Sequence, residues 1–234
     1  MKTKPILCLA LVLSGLHGHN SKAAIVFPKA PDEGRQIAYE KVSRVIQGFT
    51  NAFKGLKIEE LTITDAHKMY SVGPQDVVSG NLLSVAKFAG WRYLVVHGTN
   101  AVGEVPLIVS PKDGKLLKAG GVFGDRLAQP TLMALQKVEE LPQIKQQDYE
   151  PRYLSMPMSF SAVWLHGKTN DIVIPLPPTW GKWNAYQPYS EDEITKLLKP
   201  VAEDELRHSG DIQPTFKGPI PYEKFDPFER KTNP

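Results

Sequence analysis

Hydrophobic positions recur at helical spacing near the start of the chain. In residues 35–54 the apolar side chains fall three or four positions apart: Ala38, Val42, Val45, Ile46, Phe49 and Phe53. This pattern predicts a long amphipathic helix with one buried face. Gly55 follows, and a glycine just past a helix is a common stop.

Weaker patterns predict three more helices. Residues 129–141 have apolar positions on one face, and Pro130 is expected in the first turn, where a missing N–H costs little. Residues 190–199 begin with the Ser-x-x-Glu spacing of a capping box. A short helix is also predicted over residues 81–89, ahead of a glycine.

Strand patterns fill much of the remaining chain. The clearest is WRYLVVHG, residues 91–98, which is rich in aromatic and β-branched side chains. Shorter apolar runs occupy residues 103–110, 148–157, 159–167 and 171–176. Helices and strand runs joined by short links predict an α+β fold, with an antiparallel sheet of hairpins packed against two or three helices. A long first helix followed by antiparallel strands resembles the cystatin-type arrangement, a likeness of fold that carries no function.

Composition divides the chain into four parts. Residues 1–23 are predicted as a signal peptide, and the Pro-rich residues 24–34 as a linker. Residues 35–208 are predicted to form a single α+β domain. Residues 209–234 are a Pro- and Gly-rich tail without hydrophobic periodicity, for which no regular structure is predicted.

The first 23 residues have the features of an export signal. Lys2 and Lys4 precede an apolar run that is too short to span a bilayer, and small residues favour cleavage after Ala23. Lipidation is not expected, because Leu16 stands where a lipoprotein signal needs its cysteine, and Cys8 lies inside the removed segment. The sequence therefore predicts a soluble periplasmic or secreted protein, with an uncleaved membrane anchor as the alternative.

Removal of the signal changes the charge and the cysteine count. It takes away three lysines and no acidic residue, so the 28 basic residues fall to 25 and balance the 25 acidic ones. A neutral chain has no electrostatic footprint for nucleic acid or anionic membranes, and neither is expected as a partner. Without its one cysteine, the chain forms no disulfide and has no catalytic thiolate or Cys-ligated zinc.

Two stretches echo each other, HGTNAVGEVPL at 97–107 and HGKTNDIVIPL at 166–176. Each is expected to form a hairpin, because Gly, Asn, Thr and Asp are turn residues and a link of about five residues is ordinary. The alternative is one site that joins His97 and His166, as metal ligands or as a general base. A metal would need a third ligand, and the candidates are Asp171, Glu104 and His67. An internal duplication is also left open.

Motifs for catalysis are absent from the sequence. There is no Gly-x-Ser-x-Gly elbow, no His-Glu-x-x-His and no phosphate-cradling glycine-rich loop, so neither a metal nor a cofactor is predicted. Adjacent carboxylates, as at Glu59 and Glu60, are expected to be solvated. A glycosidase pair stays open, because the separation of two carboxyl groups decides it.

The most unusual stretch is PLPPTWGKWNAYQPYS, residues 175–190. Trp180, Trp183, Tyr186 and Tyr189 recur every third residue after Pro177 and Pro178, and Pro188 precedes the last of them. In a polyproline II segment these four rings would share one edge, about 9 Å apart, as a binding platform for a sugar or an extended peptide. The alternative is a lid, with the rings covering the core.

These patterns favour a function without catalysis. We expect an exported binding or assembly protein of the bacterial envelope or extracellular space, which contacts a protein or a glycan through the aromatic stretch. Two alternatives stay open. One is a small secreted hydrolase that uses His97 or His166, and the other is a structural component of an envelope complex that docks through its C-terminal tail. No oligomeric state is predicted.

Overall fold

The computed structural model describes residues 25–47, 53, 55–110, 113, 115–116, 122–145, 147–157 and 159–209. The predicted signal peptide, 1–23, and residues 210–234 of the predicted tail lie outside them. The described helices are α1 (Asp32–Gln47), α2 (Pro74–Val78), α3 (Asp125–Val138) and α4 (Glu191–Ser209). The described strands are β1 (Leu61–Ile63), β2 (His67–Ser71), β3 (Lys87–His97), β4 (Asn100–Ile108), β5 (Phe123–Gly124), β6 (Tyr149–Met156), β7 (Phe160–Gly167) and β8 (Asp171–Pro175).

The strands form one sheet in the order β5-β4-β3-β2-β6-β7-β8, and β1 also pairs with β3. The central neighbours β2 and β6 run parallel, whereas the other pairings between named strands are antiparallel. The predicted α+β class with an antiparallel sheet is therefore confirmed. The parallel pair at its centre joins two antiparallel halves, β1–β5 and β6–β8.

Both echo stretches form hairpins, as predicted. The first joins β3 to β4 and the second joins β7 to β8. Strands β2 and β6 are parallel, and β3 and β7 are antiparallel to β2 and β6 respectively. The turns of the two hairpins therefore lie at the same end of the sheet. Each half of the sheet thus carries one copy of the echo at the same place.

Helices cover both faces of the sheet. The strand registers align Trp91, Lys68, Arg152 and Trp164 side by side on four strands, and we call this the front face. Helix α1 packs on the front of β3 and β4, while α4 and α2 pack on the front of β6–β8. Helix α3 crosses the back face. In the described part of the chain, no helix is both long and apolar enough to cross a bilayer.

The prediction of a helix over residues 81–89 is wrong. The helix in this region is α2, which begins earlier, at Pro74, and β3 already begins at Lys87. Leu82 and Leu83 are buried without helical structure, and the Leu83 N–H donates to the Glu191 carboxylate of α4 at 2.8 Å. Burial by a distant helix, rather than helical periodicity, explains these two apolar residues.

Helix boundaries also differ from the prediction. Helix α1 begins at Asp32, inside the predicted linker, and is described to Gln47. The rest of the stretch predicted as helix, residues 48–54, lies outside the described residues apart from Phe53. Helix α3 begins at Asp125, so Pro130 lies inside the helix and not in its first turn. Helix α4 continues through Pro200 to Ser209, because packing of its buried face outweighs the N–H that this proline lacks.

The predicted capping box at the start of α4 is confirmed. The Ser190 N–H donates to Glu193 Oε2 at 2.8 Å, and the Glu193 N–H donates to Ser190 Oγ at 3.4 Å. Backbone hydrogen bonding at Ser190 holds the pKa of Glu193 below its usual value. The first turn of α4 is thus satisfied by its own side chains.

The segment before α1 contacts the sheet. Ile25 forms a parallel bridge with Tyr149, and the Val26 N–H donates to the Tyr149 carbonyl at 2.9 Å. The Phe27 ring meets the His67 ring edge to face at 5.4 Å. Residues 25–27 therefore extend the sheet beside the first residue of β6.

Candidate functional site

The two histidines of the echo lie on different strands. His97 ends β3 and His166 lies near the end of β7, with β2 and β6 between these strands. Neighbouring strands are about 4.8 Å apart, so three steps place β3 and β7 roughly 14 Å from each other. The structure therefore does not bring His97 and His166 into one site.

His97 lies near a carboxylate at the surface. Its Nε2 lies 3.8 Å from Glu60 Oε2, and both side chains are 44% exposed. Solvent screens such a pair, which therefore contributes little to stability. The His97 imidazole is therefore exposed to solvent rather than enclosed by other side chains.

His166 is oriented by a carboxylate. Its Nδ1 lies 2.8 Å from Asp171 Oδ1 on the neighbouring strand, and the same oxygen accepts the Gly167 N–H at 3.2 Å. Because an ionised carboxylate can only accept, Nδ1 carries the proton, and Nε2 of the neutral ring has a free lone pair. Both residues are candidates in the sequence, and the structure joins them in one cross-strand pair.

A pocket of about 300 Å³ lies beside His166. Its lining includes Asp148, which precedes β6, Glu150 near the start of β6, and Lys168 from the β7–β8 turn. Val26 from the segment before α1 supplies an apolar wall. An imidazole at the edge of such a pocket can accept a proton from a bound group or a water molecule.

Five rings on the front face form what we call the aromatic row: Trp91, Phe88, Tyr70, Trp164 and His166. Successive ring centroids lie 5.9, 5.7, 5.0 and 5.6 Å apart, and each contact is edge to face. Contacts of this geometry are favourable between aromatic rings. Trp91 and Trp164 are buried, whereas Phe88 is 44% exposed, so the row reaches solvent at Phe88.

Three charged side chains share the front face with the aromatic row, and we call them the ion cluster: Lys68, Glu150 and Arg152. Glu150 accepts hydrogen bonds from Lys68 Nζ at 3.1 Å and from Arg152 Nε at 2.7 Å. The Arg152 guanidinium stacks on Tyr70 and Trp164, with centroid distances of 5.0 and 4.5 Å. Partial burial by itself raises the pKa of Glu150, but the hydrogen bonds from Arg152 and Lys68 outweigh burial and lower it. With two cations on one carboxylate, the ion cluster has a net positive charge.

The four rings of the predicted ladder do not share one edge. Trp183 is 3% exposed and packs in the front core, and Tyr189 packs against the same cluster. Tyr186 packs against the back core beneath α3. Its φ of 64° lies outside the polyproline II region, so the three-residue period of that helix is broken. Trp180, by contrast, is 67% exposed.

The remaining metal-ligand candidates lie on the back face. Glu104 is buried and accepts from Arg92 Nε at 3.0 Å. His67 is 1% exposed, and burial together with the Arg92 charge lowers its pKa to about 3. Among the described residues, no group of three or more His, Cys, Asp or Glu side chains is placed to hold a metal ion.

Sequence reasoning misses the ion cluster and most of the aromatic row. Lys68 and Tyr70 of β2 are two positions apart, as are Glu150 and Arg152 of β6, so each pair lies on one face of its strand. Charged side chains within these strands are the available signal. The parallel pairing of β2 with β6 brings them together, and no local pattern predicts it.

No family model matches this chain, and no curated protein or solved structure is significantly similar to it. Its function is therefore inferred from the geometry of the described residues. Three features carry chemistry: the exposed Trp180, the His166–Asp171 pair, and the ion cluster on the aromatic row.

Proposed function

We propose that this chain is an exported, non-catalytic binding or assembly protein that contacts a protein or glycan through Trp180. The observation that carries the proposal is the contrast within residues 177–190. Trp180 is 67% exposed, while Trp183 in the same loop is 3% exposed. A large ring held in solvent is a typical anchor of a binding surface.

The loop around Trp180 is held in place on both sides. Before it, the Leu176 N–H donates to the Ser161 carbonyl at 2.8 Å. After it, Tyr189 exchanges two backbone hydrogen bonds of 2.9 Å with Val173 at the edge of β8. Because these hydrogen bonds already hold the loop, it loses little conformational entropy when a partner binds Trp180.

Close packing holds the residue next to Trp180. Gly181 lies directly against the Trp183 ring, so that a Cβ at position 181 would overlap it. Trp183 in turn meets Phe160 edge to face, with centroids 5.5 Å apart. The exposed ring is therefore attached to the core through its neighbours rather than carried on a free loop.

Export is part of the same proposal. Its support is the N-terminal pattern of two lysines, a short apolar run and small residues before Ala24, which is typical of a cleaved signal. A neutral chain without cysteine after cleavage suits a periplasmic or secreted protein that needs no disulfide.

The test is capture of the partner by the chain without residues 1–23. Wild type and Trp180→Ala are immobilised and exposed to envelope and extracellular fractions and to a glycan array, with protease treatment separating protein from glycan ligands. Tyr39→Ala is the matched control, because Tyr39 is also exposed but lies on α1. We expect Trp180→Ala to lose the captured ligand while Tyr39→Ala keeps it. Equal capture by both variants would refute the role of Trp180.

A second candidate, hydrolysis, is favoured by the His166–Asp171 distance of 2.8 Å. In that function the free Nε2 of His166 accepts a proton from water, and Asp171 stabilises the imidazolium that forms. The test is turnover of ester, amide and glycoside substrates by wild type, His166→Gln and Asp171→Asn. Activity that the two substitutions do not reduce, or no activity in wild type, rejects this function.

A further inference from the structure

The front face exposes one aromatic side chain, Phe88, between its two long helices. Helix α1 packs over Trp91, and α4 packs on the cluster that Tyr70 and Trp164 join. Phe88 bridges the two sides through its contacts with Trp91 and Tyr70, and it is 44% exposed. An exposed phenylalanine at the junction of two buried clusters is suited to contact another apolar group.

The end of α4 lies next to this surface. Glu205 lines a pocket of about 450 Å³ together with Ser71 and Lys87, which are the sequence neighbours of Tyr70 and Phe88. Helix α4 is described to Ser209, four residues and roughly 6 Å of helix beyond Glu205. The described part of α4 therefore extends about one helical turn beyond a residue of this pocket.

The 25 residues that follow, 210–234, have a suitable composition. They contain four large aromatic residues: Phe216, Tyr222, Phe225 and Phe228. Their four acidic and four basic residues balance, so the positive ion cluster does not repel them as a whole. Six extended residues span roughly 20 Å, so length does not limit the reach of even the first of these rings.

We propose that residues 210–234 of the same chain dock on the front face and cover Phe88 and Tyr70 with their aromatic side chains. Two features support this occupant over others. The helix that leads into the segment lines a pocket together with the sequence neighbours of Tyr70 and Phe88, and the segment contains four aromatic side chains that can pack against Phe88. The binding function proposed for Trp180 is separate, because Trp180 lies in the loop beyond β8, and either proposal can fail without the other.

The test is photo-crosslinking from the surface itself. The photoreactive residue p-benzoylphenylalanine replaces Phe88 in the full chain without residues 1–23, and crosslinked peptides are identified by mass spectrometry. We expect a crosslink at monomer mass to a peptide within 210–234, and its loss in a Phe225→Ala, Phe228→Ala variant. The matched control carries the photoreactive residue at Met133, which is 36% exposed on α3 and lies on the opposite face.

Each other result overturns the proposal. A crosslinked dimer assigns the surface to a second copy of the chain, and a crosslink formed only after addition of an envelope fraction assigns it to a separate partner. Equal tail crosslinking from positions 88 and 133, or none from 88, rejects specific docking.

A second measurement does not depend on the photoreactive residue. In a chain that ends at Ser209, hydrogen exchange at Lys87–Trp91 should become faster, and a synthetic peptide of residues 210–234 added in trans should restore protection. Unchanged exchange in the shortened chain, or no protection by the peptide, contradicts the docking.

Discussion

Removal of one charge from the buried pair on the back face should strongly destabilise the fold. Arg92 is 1% exposed, and its Nε donates to Glu104 at 3.0 Å. Its Nη1 donates to Thr131 of α3 at 2.9 Å, and its guanidinium lies over Tyr153, 4.3 Å from the ring centroid. The substitution Glu104→Gln keeps the shape of the side chain but leaves the Arg92 cation buried without a counter-charge.

The magnitude follows from the distance and the burial. At 3.0 Å and an effective dielectric constant of about 20, the lost attraction is about 5.5 kcal/mol. Part of it is offset, because the neutral glutamine has a smaller desolvation cost. Since breaking one side of a buried pair typically costs about 3–5 kcal/mol, we expect Glu104→Gln to lower the free energy of unfolding by about that much.

The assay is urea unfolding of wild type, Glu104→Gln and a matched surface control, Glu40→Gln. Glu40 pairs with Arg44 at 3.9 Å on exposed α1, so its substitution should change the free energy by no more than about 0.5 kcal/mol. The double variant Arg92→Met, Glu104→Leu should be more stable than Glu104→Gln alone, because it leaves no buried charge. A loss below about 1 kcal/mol in Glu104→Gln, or a less stable double variant, would refute the reasoning.

Three further substitutions test other parts of the fold. Burial lowers the pKa of His67 from 6.5 to about 3, so unfolding takes up a proton below pH 6.5. The free energy of unfolding in urea should therefore be about 2 kcal/mol lower at pH 5 than at pH 7. The His67→Gln variant should lack this part of the pH dependence. Gly181→Ala should push Trp183 out of its site, seen as a loss of near-ultraviolet circular dichroism, and a wild-type spectrum contradicts this. Ser190→Ala should cost about 1 kcal/mol in thermal unfolding, since it removes the oxygen that accepts the Glu193 N–H, and an unchanged melting temperature contradicts this.

Much of the candidate site follows from long-range contacts. The His166–Asp171 pair could be named from the sequence, because a hairpin turn of known length brings the two residues opposite each other. The ion cluster could not, because Lys68 and Glu150 are 82 positions apart in the chain. The spacing of its aromatic residues identifies the stretch at 175–190. That Trp180 is its exposed ring depends on the tertiary structure, which buries Trp183 in the core.

Local elements can be predicted from the residues that form them. The echo hairpins, the strand over residues 91–97 and the capping box at Ser190 arise from contacts within a few residues, whose turn, propensity and capping preferences can be read directly. The tertiary structure alone decided the order of the strands, the parallel pairing of β2 with β6 and the helix boundaries. The physical reason is that the free energy for these choices comes from burial against distant parts of the chain, which outweighs local preference wherever the two differ.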